Sequence, residues 1–430
     1  MSDTRKTNYR WVVVALLFFA TTINYLDRQV IGFLKPTLQK DFQWSEEDYS
    51  HMVIIFQTAY ALGLLCFGGL IDKLGTKLGY TVSLIIWSVG AMLHGIVKST
   101  FGFGLARTTL GLGESGNFPA AIKVVAEWFP KKERALATGI FNSGANIGAV
   151  VAPVMVPWIL GIYGWQMAFI ITGAIGFLWL IFWWIFYEIP SKHKKINGAE
   201  FEHIHSDIDE PAATDGPGEK VKWARLFGIR QTWVFVVGKF LTDPIWYFFL
   251  FWLPSYFAST FKLDLSKPTL PLVLIYTATT IGSIGGGYLS SRLIKSGMPI
   301  FRARKTAMFI FALCVVPIFA ARYATNIWQA VGLISLAAAA HQAWSANIFT
   351  AASDVFPKRA VSSVVGIGGM AGSVGGIAFP FLIGWVLETY KEAGNITAGY
   401  NIIFSICACA YLVAWLIMHL LTPKMKVVKL

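Results

Sequence analysis

Residues 101–134 read FGFGLARTTLGLGESGNFPAAIKVVAEWFPKKER, an apolar segment with Arg107, Glu114 and Lys123 set inside it and the basic cluster Lys131, Lys132 and Arg134 at its end. A helix needs about 20 mostly apolar residues to cross a bilayer, and the run over 100–127 is long enough. A charge near the bilayer centre costs about 3 kcal/mol or more, so ionisable groups in such a helix are expected to face a partner or a watery cavity. Arg107 and Glu114 are therefore the first functional candidates. Lys123, nearer the end of the run, is expected either to snorkel to the interface or to line an exit.

The same pattern repeats outward in both directions. Further apolar runs lie near 11–35, 51–71, 78–97, 135–160 and 165–187, and six more near 231–258, 269–291, 303–321, 327–352, 361–386 and 399–421. Apolar residues make up 55% of the 430 and charged residues 14%, more apolar sequence than a water-soluble core requires. The expected fold class is an all-α membrane protein of twelve transmembrane helices in two pseudo-symmetric six-helix bundles, 1–187 and 231–430. Between them, 188–230 contains DEPAATDGPGEK and reads as a linker with too little apolar surface for a core of its own.

The net charge of +13 does not indicate nucleic-acid binding, because the basic residues fall in short clusters between apolar runs. Loops on one side, with both termini and the linker, hold 25 lysines and arginines; loops on the other side hold six. The positive-inside rule then predicts that both termini and the linker are cytoplasmic. No cleavage signal follows the first apolar run, so it is expected to stay as the first span. Cys66, Cys314, Cys407 and Cys409 lie in apolar segments without metal or redox spacing and read as packing residues. No P-loop, zinc spacing or nucleophile elbow appears, so an enzyme is not expected, and no cofactor or metal is called for.

The two halves echo each other. WFPKKERA at 128–135 precedes a Gly-rich helix reaching Gly148 and Pro153; VFPKRAV at 355–361 precedes one reaching Gly375 and Pro380. Such a duplication predicts a substrate site near the membrane midplane between halves. Gly144, Gly148, Gly372, Gly375 and Gly376 serve either close helix packing or gating.

Residues 68–79, GGLIDKLGTKLG, hold the pattern G-x-x-x-D-K-x-G-x-K between the second and third spans. In this loop the chain resembles the major facilitator superfamily, whose signature has that form and helps hold the cytoplasmic side closed. The resemblance implies gating roles for Asp72, Lys73 and Lys77, with Asp72 accepting charge-assisted hydrogen bonds from a helix end or a basic side chain. A static loop salt bridge is the other reading. The second-half counterpart, GGYLSSRLIKSG, has Ser291 where the Asp would stand, so the gate is expected to depend more on the first half.

In the first span, INYLDRQVIG sets Asp27 beside Arg28. Helix neighbours point about 100° apart, so each is expected to have its own partner. Arg107 and Glu114 are two turns apart, about 10 Å along one face. An Arg fork binds a carboxylate bidentately and keeps its proton, while burial of a carboxyl group favours its uncharged form and suits it to carry a proton. Arg28 is the candidate for an anion; Asp27 and Glu114 are the candidates for a proton. The alternative is that the four pair only to fold the first bundle.

NYLDR, LARTTLGLGE with FPA, and EWFPKKERA resemble the anion:cation symporter family, and FPAAIKVVAEWFPKKERA with WQMAFIITGAIGFLWLIFWWIFYEIP are most similar to its bacterial hexuronate transporters. The resemblance implies a proton-coupled importer of a sugar acid, glucuronate or galacturonate, in the bacterial inner membrane, working as a monomer in the lipid bilayer. It implies that Arg28 and Tyr60 bind substrate, that Asp27 and Glu114 take the proton, and that Arg107 pairs with them. Where galactonate-type relatives carry Gln in the fifth span, this chain has Ala145, with Asn142 and Asn146 close by as further candidates. In the second half Gln342, Trp344 and Asn347 are expected either to bind sugar hydroxyls or to bond between helices, and Ser373 is a further polar candidate. Lys239 and Asp243, one turn apart, read as a structural pair or a second anion contact. An anion exchanger or an aldonate carrier on the same scaffold, or a non-transporting membrane sensor, are the other readings.

Overall fold

A computed structural model describes residues 6–44, 46–206, 223–263 and 270–428. Among the described residues the regular structure is helical throughout. In chain order the helices are α1 (Arg10–Phe42), α2 (Glu46–Leu74), α3 (Thr76–Leu93), α4 (Thr100–Glu114), α5 (Asn117–Trp128), α6 (Lys131–Tyr163), α7 (Trp165–Phe186) and α8 (Gly198–Ile204). They continue as α9 (Trp223–Phe227), α10 (Arg230–Phe251), α11 (Leu253–Phe261), α12 (Leu270–Lys295), α13 (Ile300–Val315), α14 (Ile327–Val355), α15 (Lys358–Glu392) and α16 (Ile396–Leu421).

Ten helical stretches among the described residues are long and apolar enough to cross a membrane. Two further expected spans take a different form. The run at 100–127 is two helices, α4 and α5, meeting at Ser115-Gly116. Pro119 explains the break: it has no N–H to give the carbonyl four residues back, and its ring crowds that turn. The tenth expected span is α14, a 29-residue helix whose middle carries His341, Gln342 and Asn347. The run at 231–258 is likewise divided, α10 ending before Trp252 and α11 starting with Pro254 in its first turn.

Within the first half α1 packs along α6 and α7, and α3 along α4 and α7; within the second, α12 packs along α14, and α10 along α15 and α16. The halves meet where α6 lies on α12 and α2 on α15. Both seams are backbone-close: a Cβ on Gly139 would sit 2.3 Å from the Ser283 carbonyl oxygen, and one on Gly366 2.2 Å from that of Leu64. The glycines singled out in the sequence pack closely inside each half, Gly144 and Gly148 against the α1 backbone, Gly375 against the α10 backbone, and Gly372 and Gly376 against the Asp243 and Tyr247 side chains of α10. Large apolar side chains such as Leu62, Phe101, Trp158, Phe381 and Trp385 are exposed outward, as a surface in contact with lipid requires.

One end of the bundle gathers the chain's terminal segments. There Glu200 of α8 accepts from the backbone N–H groups of Tyr9 and Arg10 at 2.9 and 3.1 Å, placing a carboxylate on the α1 N-terminus. Arg10 is shared by Glu200 and Glu133, and Val428 donates to the Val355 carbonyl at 2.9 Å. The early part of the expected linker is thus docked against the first half, while DEPAATDGPGEK lies outside the described residues.

Candidate functional site

A cavity opens between the halves, walled by α1, α2, α6, α10, α14 and α15. Its lining includes Tyr25, Arg28, Tyr60, Asn142, Lys239, Asp243, Trp246, Tyr247, His341, Gln342 and Ser373. Arg28 enters from α1 as the most elaborated group. Its Nε donates to Glu114 Oε2 at 2.8 Å, and its guanidinium carbon lies 4.5 Å from the Tyr60 ring centre, 4.8 Å from Tyr25 and 5.2 Å from Phe56. Three aromatic faces around one cation hold it in place while its other side meets the cavity.

Behind this wall the remaining charges are buried and incompletely bonded. Among the described residues, Glu114 Oε1, Arg28 Nη2, and Nε and Nη2 of Arg107 have no hydrogen-bond partner. Each such orphan costs about 1–3 kcal/mol, so the cluster is an expensive feature to keep for packing alone. Asp27 points away from the cavity toward Trp87 and Thr172, with Glu114 as its charged neighbour. Arg107 also lies over the Phe56 ring, 5.7 Å from its centre.

The expected pairing is therefore rearranged. Arg107 was to hold the carboxylates, but the ion pair at Glu114 is made by Arg28. Two turns along one helix is too far for Arg107 and Glu114 to bond directly, whereas α1 delivers Arg28 from across the gap.

The second-half candidates divide by helix face. Gln342 lines the cavity and bridges the halves, accepting from Asn142 Nδ2 at 2.9 Å and donating to Asn146 at 3.3 Å. Asn142 also donates to Ser283 at 3.1 Å. Trp344 and Asn347 are turned away: Trp344 is buried against Tyr411, and Asn347 donates to the Gly286 and Ala343 carbonyls. Positions two and five residues on from Gln342 are rotated by about 200° and 140°, so one helix cannot show all three to one cavity. His341, stacked on Trp246 and bonded to Tyr411, does line it. Tyr25, Trp246, Tyr247 and Phe349 were not foreseen; aromatic residues abound in this chain, and only their helical register relative to Arg28 and Asp243 sets these apart.

At the terminal end the halves are bolted together. Asp72 accepts from Lys123 Nζ at 2.9 Å, the basic side chain its position implied, and from the Ser363 backbone N–H, in the second turn of α15, at 2.7 Å. That settles Lys123 as the Asp72 partner. Gly75, with φ of 82°, makes the turn that lets α3 start immediately after α2. Lys77 pairs with Glu188, the first residue of the linker, at 2.9 Å, and Lys73 is exposed.

A second bolt was missed. Arg134 donates to Asp354 at 3.3 Å and to the Ser353 carbonyl at 2.8 Å, while Arg304 donates to the other Asp354 oxygen at 2.9 Å and to the Lys131 carbonyl. Ser291 has no acid, but Asp354 joins the two halves through Arg134. The repeat carried the signal: Glu127 and Asp354 both stand two residues before Phe-Pro.

Known proteins place this architecture. The chain is 31% identical over 381 residues to a hexuronate transporter of Escherichia coli (strain K12), covering 88% of each chain. It is 27% identical to a probable galactarate/D-glucarate transporter of the same strain, covering 95% of this chain and 94% of that one. The solved structure of a proton:xylose symporter superposes with a TM-score of 0.73 at 16% identity, covering 98% of both chains. The model of the Major Facilitator Superfamily matches residues 17–380, and the chain belongs to that superfamily of multi-pass membrane transporters.

Proposed function

We propose that this protein is a proton-coupled symporter that imports a hexuronate, glucuronate or galacturonate, by alternating access. The observation that carries this reading is the Arg28–Glu114 pair at 2.8 Å, one partner facing the cavity between halves and the other buried behind it. Arg28 offers a fixed cation for the substrate carboxylate. Glu114 competes with that carboxylate for Arg28, so protonating Glu114 frees the guanidinium for substrate and couples the two cargoes. Asp27 is the second proton candidate, and Arg107 keeps a positive field beside both carboxyl groups.

The likeness to a hexuronate transporter supports this substrate class. The full arrangement is twelve spans in two six-helix bundles, 1–187 and 231–430, joined by 188–230. The chain functions as a monomer in the bacterial inner membrane with the terminal end cytoplasmic. Asp72 and Asp354 then hold the inside shut while the cavity loads from outside.

The test is uptake of labelled glucuronate into proteoliposomes under an inward proton gradient. Accumulation that collapses with the gradient, and that galacturonate but not glucose competes away, is expected. Counterflow that ignores the gradient would favour an exchanger.

A further inference from the structure

We propose that the Lys239–Asp243 pair on α10 is the specificity element of the cavity, reading the hydroxyl groups of a sugar monoacid and excluding diacids. This rests on the sugar-acid reading above.

Lys239 Nζ lies 2.7 Å from Asp243 Oδ2, and the Asp243 side chain retains 22% of its accessible surface, so its carboxylate is open to the cavity. α15 backs it closely: a Cβ on Gly372 would come within 2.2 Å of the same oxygen. The Lys239 ammonium sits 4.1 Å from the Phe349 ring centre, fixed over an aromatic face. Arg28 lies on the same cavity wall system, and Tyr247, one turn beyond Asp243, is an electrostatic neighbour of both Arg28 and Asp243. A sugar acid with its carboxylate on Arg28 therefore extends its hydroxyl-bearing carbons toward the pair.

A paired ammonium and carboxylate suits hydroxyls, because the lysine donates to their oxygens and the aspartate accepts their protons. It does not suit a second carboxylate, which would meet Asp243 as a like charge. With Glu114 protonated, the four groups Arg28, Glu114, Lys239 and Asp243 carry one net positive charge, which matches a monoanion. Removing the Asp243 charge leaves Lys239 as a free second cation placed for a diacid.

The experiment measures binding of D-glucuronate, D-glucarate and glucose to the full-length purified protein, as wild type, Asp243→Asn and the double variant Lys239→Gln/Asp243→Asn. Wild type is expected to prefer glucuronate over glucarate by about tenfold or more, the scale of one charged hydrogen bond. Asp243→Asn is expected to lose or invert that preference, and the double variant to lose the glucarate gain. Wild type that binds both sugar acids equally overturns this inference whatever the variants do. So does a folded Asp243→Asn with unchanged preference. Wild type that binds neither acid overturns the sugar-acid reading and this inference with it.

Discussion

The buried charges at the middle of the bundle and those at its terminal end are made of the same residue types and treated in opposite ways. At the terminal end both oxygens of Asp354 are taken by arginines, and Arg134 and Arg304 spend their remaining donors on carbonyls and Ser290. In the middle, Arg107 and one oxygen of Glu114 have unfilled hydrogen-bonding capacity. A buried network with every member bonded is rigid and stabilising, while one left incomplete is costly. Under the proposed function, the contrast separates a lock from a set of groups held ready for cargo.

The sharpest way to break the contrast is at its centre. Arg28→Ala removes the fork and leaves Glu114 buried beside an empty space; breaking such a pair costs about 3–5 kcal/mol. Glucuronate binding is expected to fall by about a thousandfold, and uptake to background, as read by binding to purified protein and by proteoliposome transport. Arg28→Lys is expected to recover little, since a point charge does not replace the planar fork. Near-normal uptake with Arg28→Ala would move the anion site elsewhere.

Glu114→Gln probes the same cluster from its other partner. The amide keeps the shape and removes the charge, mimicking the protonated state. Binding is expected to survive and counterflow to continue, while accumulation driven by a proton gradient is lost. Accumulation at the wild-type level would assign coupling to Asp27 or to another group.

At the terminal end the expected effect is smaller and of another kind. Asp354→Asn leaves Arg134 and Arg304 with a neutral partner, weakening the closed seam by about one charged hydrogen bond, or roughly tenfold in the equilibrium between closed and open ends. A cysteine at Ser362, whose hydroxyl bonds the Pro119 carbonyl across the seam, reports this as faster labelling by a bulky maleimide. An unchanged labelling rate would make the Asp354 cluster a passive strut.

What the sequence could convey follows the same division. Apolar run length and charge placement made the helices and the docking of Asp72 readable and singled out Arg28 and Glu114 as buried charges, because each depends on position along one helix or on a local motif. The resemblance paired Glu114 with Arg107, whereas the ion pair is made by Arg28, which reaches it only through the packing of α1 on the first-half helices. Trp344 and Asn347 were grouped with Gln342 because sequence nearness stood in for helix face. The Arg134–Asp354–Arg304 bolt joins three helices from both halves, and no single stretch contains more than one of its charged members.

The smallest effect tests whether satisfied charges at the terminal end act on stability alone. Burial pushes the Glu200 carboxyl upward, but hydrogen bonds from Thr7, from the Arg10 and Tyr9 backbone and from the Arg10 side chain outweigh it and leave the group below its ordinary value of 4.5. A group depressed on folding contributes its full stability above the unfolded value and loses it as pH falls through the folded one. Glu200→Gln is therefore expected to lower Tm by about 2 °C at pH 7. That gap should shrink as pH drops below 4.5. Glucuronate uptake should stay within about twofold of wild type, since Glu200 caps α1 from outside the membrane core and touches neither seam between the halves. A gap that persists at low pH would mean the amide disturbs packing and not charge, and a large loss of uptake would mean that α8 takes part in the closing of the terminal end.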